Sequence, residues 1–261
     1  MDASSPEYLT VGSGGEARDI AFRRRQGGEP GLFWLAGYVA DMTGNKASAL
    51  DQFAADRHLA FTRFDYSGNG LSGGDFLDGT ISRWLEEAEA VFDRATAGRQ
   101  IVVGSSMGGW IALRLADLLH RRGASRIAGL ILIAPATDMT EDLMWKRFTR
   151  KARLELERTG VWAQGPASER NHHLITRKLI EDGRNHLFSD RPIEVGCPVH
   201  ILQGLEDDTV PAAHATQLVT RLASDDVVLT LVKDGDHRLS RPEDLQRLFA
   251  AIEGMIAEIG S

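Results

Sequence analysis

Short apolar runs alternate with longer stretches of helical period along most of this 261-residue chain. The intervals between the runs favour helices over residues 46–58, 81–95, 108–121, 211–223 and 242–258. The apolar runs themselves predict strands over residues 8–12, 19–24, 32–35, 60–66, 101–103, 127–134, 199–202 and 227–232. This alternation is typical of βαβ units, which build a mostly parallel sheet covered by helices. We therefore predict an α/β fold, doubly wound, in one domain over residues 1–261.

The alternation stops between about residues 137 and 192, where the sequence is charged and helical and predicts no strand. Ligands of open parallel sheets bind outside the carboxyl ends of the strands, so an insertion that leaves this edge can cover a site. We predict a helical lid over residues 137–192, with Trp145 and Trp162 contacting substrate. Two alternatives are a merely decorative pair of helices and a lid whose apolar residues pack only on one another.

Charge and composition narrow the class of partner. The net charge of −7 disfavours nucleic acid and anionic membranes, because both require basic patches. Cys197 is the only cysteine, which excludes a disulfide framework and a thiolate metal site. The pair His172 and His173 lacks further ligands at suitable spacing, so we expect neither a metal nor a cofactor. With no basic leader and no apolar run of membrane-spanning length, we expect a soluble cytoplasmic protein.

Two segments fit the pattern Gly-x-Ser-x-Gly, in which a sharp turn between a strand and a helix exposes a nucleophilic serine. One is Gly104 to Gly108, centred on Ser106, and the other is Gly70 to Gly74, centred on Ser72. Ser106 follows a buried apolar strand and begins a helical stretch, which is the setting that this turn requires. Ser72 lies in a glycine-rich loop with no strand beside it. The sequence therefore favours Ser106 as the nucleophile.

A serine nucleophile needs a base, and the base needs an acid to orient it. In folds of this kind the chain order is serine, acid, histidine. His237 lies in the loop after the last predicted strand, whereas His200 falls within a strand and His214 within a helix. The acid follows the strand that ends near residue 203, where the spacing favours Asp207 and leaves Asp208 as the alternative. We predict His237 as the base and Asp207 as the acid.

The negative charge of a tetrahedral intermediate would develop beside the nucleophile, where backbone N–H groups can stabilise it. Met107 directly follows the nucleophile and is one predicted donor. The loop after the third predicted strand should supply the other, with Tyr38 as the candidate. Tyr38 could instead be an aromatic residue of the pocket with no donor role.

Several motifs occur in an order that makes the sequence resemble one family of α/β-hydrolases, the depalmitoylases of animal mitochondria and their bacterial relatives. The resemblance extends from about residue 30 to about residue 255. It departs from the superfamily at Ala36, where histidine is common, and we expect no transit peptide, unlike in the animal members. The matching segments are Leu35–Tyr38, Arg63–Ser72, Gly104–Trp110, Gly160–Trp162, Gln203–Pro211 and Asp236–Arg238.

The resemblance implies an α/β-hydrolase fold and a palmitoyl-protein thioesterase or carboxylesterase activity. It also implies that Ser106, Asp207 and His237 form the catalytic triad. The expected substrate is a small-molecule or acyl-protein ester or thioester. Two alternatives remain at this point: a serine peptidase or another hydrolase on the same fold, and a catalytically inactive binding module that uses the fold as a scaffold.

Overall fold

A twisted sheet of eight strands forms the centre of the computed structural model, which describes residues 5–123, 126–163, 174–188, 191–223 and 226–260. The strands of this sheet agree with the eight apolar runs of the sequence. They are β1 (Glu7–Val11), β2 (Arg18–Arg25), β3 (Gly28–Leu35), β4 (Leu59–Phe64), β5 (Gln100–Ser105), β6 (Ile127–Ile133), β9 (Val199–Gly204) and β10 (Val227–Val232). Strands β7 and β8 belong to the insertion and are described below.

The strands lie in the order β1-β2-β4-β3-β5-β6-β9-β10. β1 and β2 run antiparallel at one edge, and the other six strands are parallel to one another. In the middle of the sheet, Val102 of β5 lies between Phe33 and Leu130, and all three side chains are buried. Because helices cover both faces there, the central strands are continuously apolar. The predicted α/β-hydrolase fold is confirmed.

Five helices of the main domain occupy the predicted intervals. Helix α2 begins where the Thr80 side chain accepts a hydrogen bond from the N–H of Arg83, as an N-cap does. Within the described residues, no helix is both long and apolar enough to cross a membrane. These five helices are α1 (Asn45–Asp56), α2 (Ile81–Ala95), α3 (Met107–Arg121), α6 (Ala212–Arg221) and α7 (Pro242–Gly260).

A buried ion pair joins the antiparallel edge of the sheet to α2. Arg18 Nε donates to the Glu87 carboxylate at 2.7 Å, and the side chain of Glu87 is fully buried. The second oxygen of Glu87 accepts the N–H of Ser67 at 2.9 Å. Burial raises the pKa of Glu87, and its hydrogen bonds to Ser67 and Arg18 oppose that rise. Each charge therefore requires its partner, because a single unpaired charge buried at this depth would destabilise the fold.

The insertion between β6 and β9 contains α4 (Arg150–Thr159), α5 (Arg177–Gly183) and an antiparallel pair of strands, β7 (Val161–Ala163) and β8 (Leu174–Thr176). The prediction that residues 137–192 contain no strand is therefore wrong. Three-residue strands are too short for an alternating pattern to appear in the sequence. Residues 164–173, which include His172 and His173, lie outside the described residues.

Candidate active site

Ser106 occupies the strand-to-helix turn between β5 and α3. Its φ of 54° lies in the left-handed region, which non-glycine residues adopt at a cost of roughly 1–3 kcal/mol. The backbone of the turn is held on both sides: the N–H of Ser106 donates to the carbonyl of Ile133, and its carbonyl accepts from Ala136. A Cβ at Gly108 would lie 2.1 Å from the carbonyl oxygen of Leu35, so only glycine allows α3 to approach β3 this closely. The local geometry is that of a nucleophile elbow.

The structure brings Ser106, His237 and Asp207 together in one chain of hydrogen bonds. His237 Nε2 lies 3.1 Å from Ser106 Oγ, and His237 Nδ1 lies 2.8 Å from Asp207 Oδ2. With the proton of the neutral ring on Nδ1, facing the carboxylate, Nε2 is free to accept the proton of the serine hydroxyl. This arrangement can activate an alcohol oxygen as a nucleophile and return the proton to a leaving group.

Backbone and side-chain donors fix the Asp207 carboxylate in place. Oδ1 accepts the N–H groups of Thr209 and Val210 at 2.9 and 2.7 Å, and Oδ2 also accepts Gln203 Nε2 at 3.2 Å. Burial works to raise the pKa of Asp207, but the hydrogen bonds from His237, Val210 and Gln203 outweigh burial and lower it. The group therefore stays ionised beside His237. The sequence indicates Gln203 only as the end of a strand and carries no signal that it contacts the acid.

The competing candidates have other contacts. Ser72 Oγ accepts the N–H of Ala21 at 2.8 Å and donates to the carbonyl of Asp65 at 2.6 Å, which fits a structural role in its loop. His200 Nε2 lies 2.9 Å from Thr230 Oγ1, and His214 Nε2 lies 2.8 Å from the carbonyl of Thr137. Asp208 is exposed next to the buried Asp207.

The loop after β3 lies against the elbow. A Cβ at Gly37 would contact the Ser106 Cβ and the Ser105 carbonyl oxygen at 3.4 Å each, so the backbone that leads into Tyr38 passes beside the nucleophile. Met107 is the first residue of α3, and the first N–H groups of a helix have no acceptor within that helix. The two predicted oxyanion donors, the N–H groups of Tyr38 and Met107, thus belong to backbone segments that adjoin Ser106. Their role in catalysis stays a prediction.

A buried aspartate that the sequence argument did not single out holds this loop in place. Asp65, at the end of β4, accepts the N–H groups of Met42 and Leu71 at 2.6 and 2.7 Å. Arg63 Nη1 donates to the carbonyl of Met42 at 2.8 Å. Burial raises the pKa of Asp65, against the effect of its two backbone hydrogen bonds. The Arg-Phe-Asp run lies in one of the segments that match the resembled family, and it connects the loop after β3 with the glycine-rich loop.

Helix α1 holds the loop that carries the histidine. Lys46 donates hydrogen bonds to the carbonyl of Arg238, the residue after His237, and to Ser240 Oγ. Asn45 Nδ2 donates to the carbonyl of Ser240 at 3.1 Å. Burial lowers the pKa of Lys46 to about 8. No motif in the sequence pointed to this contact, because its two sides are 192 positions apart.

The insertion contacts two loops of the main domain that neighbour triad residues. Arg147 Nη1 donates to the carbonyl of Thr209 at 3.0 Å, two residues after Asp207. At the loop after β3, the Tyr38 hydroxyl donates to the carbonyl of Leu174 at the start of β8. The predicted lid thus adjoins both the acid loop and the loop next to the nucleophile.

Trp145 and Trp162 lie in a small apolar cluster of the insertion. Phe148 packs edge-on against both rings, with centroid distances of 6.3 Å to Trp145 and 4.6 Å to Trp162. Arg153 and Arg184 lie over the Trp145 ring at 4.9 and 5.3 Å. Both tryptophans are partly exposed. The described contacts thus fit the alternative of mutual packing, and contact with substrate remains a prediction for both residues.

Within the described ranges, no group of three or more His, Cys, Asp or Glu side chains is arranged to hold a metal ion. Cys197 is a buried free thiol, and burial raises its pKa to about 12. A thiol that stays protonated at neutral pH is a weak nucleophile. Of the groups analysed above, Ser106 is therefore the best placed for nucleophilic chemistry.

Comparison with known proteins assigns the chain to a family. A family model described as serine aminopeptidase, S33, matches residues 39–185. The mitochondrial palmitoyl-protein thioesterase ABHD10 of Mus musculus is 33% identical over 249 residues, covering 94% of this chain and 82% of the relative.

Solved structures agree with this assignment. A putative hydrolase from Agrobacterium vitis S4 matches with a TM-score of 0.92 at 49% identity, covering 97% of this chain and 98% of that chain. The mouse alpha/beta hydrolase domain-containing protein 10 matches with a TM-score of 0.87 at 32% identity, covering 98% of this chain and 100% of that chain. The chain therefore belongs to the family described as serine aminopeptidase, S33, and is a serine hydrolase of the esterase and peptidase type with an α/β-hydrolase fold.

Proposed function

We propose that this protein hydrolyses fatty-acyl thioesters and carboxylic esters through an acyl-enzyme on Ser106. The observation that carries the proposal is the chain of hydrogen bonds from Asp207 through His237 to Ser106 at a nucleophile elbow. The relatives named palmitoyl-protein thioesterase support the choice of an acyl substrate.

In the first half of the proposed reaction, Ser106 Oγ attacks the acyl carbon while its proton passes to His237 Nε2. The carbonyl oxygen becomes an oxyanion, which the N–H groups of Tyr38 and Met107 stabilise. When the intermediate collapses, the bond to the leaving sulfur or oxygen breaks, and the proton on His237 passes to that leaving group. The carboxylate of Asp207 stabilises the imidazolium that forms in between.

In the second half, water replaces the leaving group. His237 accepts a proton from the water as its oxygen attacks the acyl carbon, and a second oxyanion forms at the same backbone donors. Collapse releases the carboxylic acid and returns the proton from His237 to Ser106. The cycle restores the enzyme with no cofactor and consumes one water for each acyl group.

The proposed preference for fatty acyl groups rests on the names of the relatives and on the prediction that apolar residues of the insertion, Trp145 and Trp162 among them, line an acyl pocket. Each buried methylene is worth roughly 0.8 kcal/mol, or about fourfold in kcat/KM, until the pocket is full. A thiol leaving group has a pKa of about 8.5, so it can depart as a thiolate. It therefore needs the proton from His237 less than an alkoxide does. Thioesters and activated esters should therefore react faster than simple alkyl esters.

The test is kcat/KM for acyl groups from acetyl to palmitoyl on a single leaving group. A rise with chain length that Trp145→Ala and Trp162→Ala flatten would support the acyl pocket. A flat or falling profile that neither variant changes would contradict it and leave a generic esterase.

A peptidase is the second candidate, because the matching family model is described by an aminopeptidase. Aminoacyl p-nitroanilides measured beside the p-nitrophenyl esters compare the two. We expect turnover of the esters to exceed that of the anilides, and the reverse order would move the function to peptide bonds.

A further inference from the structure

Tyr38 makes one set of contacts through its side chain, while its backbone belongs to the loop after β3 that adjoins the nucleophile. The backbone passes beside Ser106, as the close approach of Gly37 requires. The ring packs against Phe76 and Trp84, with centroids 5.4 and 5.9 Å away. The hydroxyl donates to the carbonyl of Leu174. Burial raises the pKa of Tyr38 far above its ordinary value, so the hydroxyl remains a donor at any pH used in assays.

Leu174 is the first residue of β8, which forms the hairpin of the insertion with β7. In the register of the pair, Leu174 lies opposite Ala163 and Ile175 opposite Trp162. Ile175 is buried in the apolar cluster of the insertion, and Trp162 packs on that cluster. The hydrogen bond from Tyr38 therefore holds the strand that positions Trp162.

Helix α5, which follows β8, docks on the same part of the main domain. The Asp182 carboxylate accepts the N–H and the hydroxyl of Ser82 at 2.8 and 2.6 Å. Lys178 pairs with Asp78 at 3.0 Å. Ser82 and Asp78, the partners of α5 in the main domain, lie in the segment 76–84. Phe76 and Trp84 of this segment pack on the Tyr38 ring. The insertion and the loop after β3 thus both pack against the segment 76–84.

We propose that Tyr38 is a positioning residue that couples the insertion to the oxyanion loop. Its hydroxyl fixes β8, and its backbone belongs to the loop that adjoins the nucleophile. The position of the insertion and the position of this loop therefore depend on each other. The proposal rests on the proposed esterase function and extends it. Long acyl chains, which need the insertion, depend on the hydroxyl more strongly than short chains do.

Tyr38→Phe tests this coupling, because it removes only the hydroxyl and keeps the packed ring. Tyr66→Phe is the matched control: Tyr66 belongs to the same aromatic cluster, 6.0 Å from Trp84, and its buried hydroxyl has no hydrogen-bond partner in the described part of the chain. The readout is the ratio of kcat/KM for palmitoyl over butyryl thioesters. We expect Tyr38→Phe to lower this ratio about tenfold and Tyr66→Phe to leave it unchanged.

Hydrogen exchange at the amides of residues 174–176 gives a second readout that does not depend on activity. Exchange there should accelerate in Tyr38→Phe and not in Tyr66→Phe. If the wild type hydrolyses no ester, the proposed function fails, whereas the exchange experiment still tests the coupling.

Two results would overturn the coupling. An equal fall in kcat for both chain lengths, with unchanged exchange, would assign the hydroxyl to the reaction itself. An unchanged ratio together with unchanged exchange would mean that the hydrogen bond to Leu174 does not hold the insertion.

Discussion

Replacing Asp207 by asparagine should disable the proposed base while the protein keeps its fold. In the wild type, Oδ1 accepts two backbone N–H groups, and Oδ2 faces His237 Nδ1 and Gln203 Nε2. Because the backbone donors require an oxygen, the amide of the variant must turn its NH2 group toward His237. The ring then has to accept at Nδ1 and carry its proton on Nε2. In that tautomer His237 cannot accept a proton from Ser106.

The expected loss follows from the same geometry. The variant has the wrong tautomer at its base and no charge to stabilise the imidazolium. In the well-studied triad of a serine protease, the corresponding change lowers kcat by about 10⁴. At 1.36 kcal/mol for each factor of ten, this is about 5.4 kcal/mol of transition-state stabilisation. The NH2 group of Gln203 would also meet the new NH2 group of the asparagine, so a small loss of stability should accompany the loss of rate.

The assay is kcat on one activated acyl ester, with thermal unfolding of each variant as a check that the fold persists. Asp208→Asn is the matched control, because Asp208 is exposed and its described hydrogen bond is to Thr209 Oγ1 at 3.3 Å. We expect the control to lose less than about tenfold in kcat. If Asp208→Asn is the inactive variant and Asp207→Asn keeps its rate, the assignment of the acid is wrong.

Three further predictions follow from the described contacts. Ser106→Ala should abolish turnover in a folded protein, whereas Ser72→Ala should lower the melting temperature and keep kcat. Burial works to raise the pKa of Asp207, but the hydrogen bonds from His237, Val210 and Gln203 together lower it. Its stabilisation is therefore complete above about pH 4 and disappears as the pH falls further, so urea unfolding should show the wild type losing stability relative to Asp207→Asn in acid. Arg18→Met should cost about 3–5 kcal/mol of unfolding free energy and the exposed Arg24→Met at most about 1 kcal/mol.

Much of the fold could be predicted because its signals are local. The apolar face of α2 predicts a helix over residues 81–95, and the structure has a helix with these bounds, capped by Thr80. The eight strands of the main sheet each produce an apolar run long enough to recognise. The β7–β8 hairpin produces no such signal, because each strand has only three residues.

In the candidate site, the triad residues could be predicted from the sequence, whereas the residues that support the surrounding loops could not. Ser106, Asp207 and His237 stand in loops after recognisable strands, so chain order alone predicts that they meet at one edge of the sheet. The groups that hold them were not predictable. Asp65 and Lys46 act on backbone atoms of other loops, and a backbone carbonyl or N–H has no signature in the sequence. Such contacts exist only once the loops have folded.

The most direct test of the account is labelling with a fluorophosphonate, followed by peptide mapping of the adduct. The reagent reacts with a serine hydroxyl that a neighbouring base activates. We predict one adduct on Ser106 in the wild type, a much slower reaction in Asp207→Asn, and none in folded Ser106→Ala. An adduct on Ser72, or no adduct at all on the folded wild-type protein, would contradict the claim that Ser106 is the activated nucleophile.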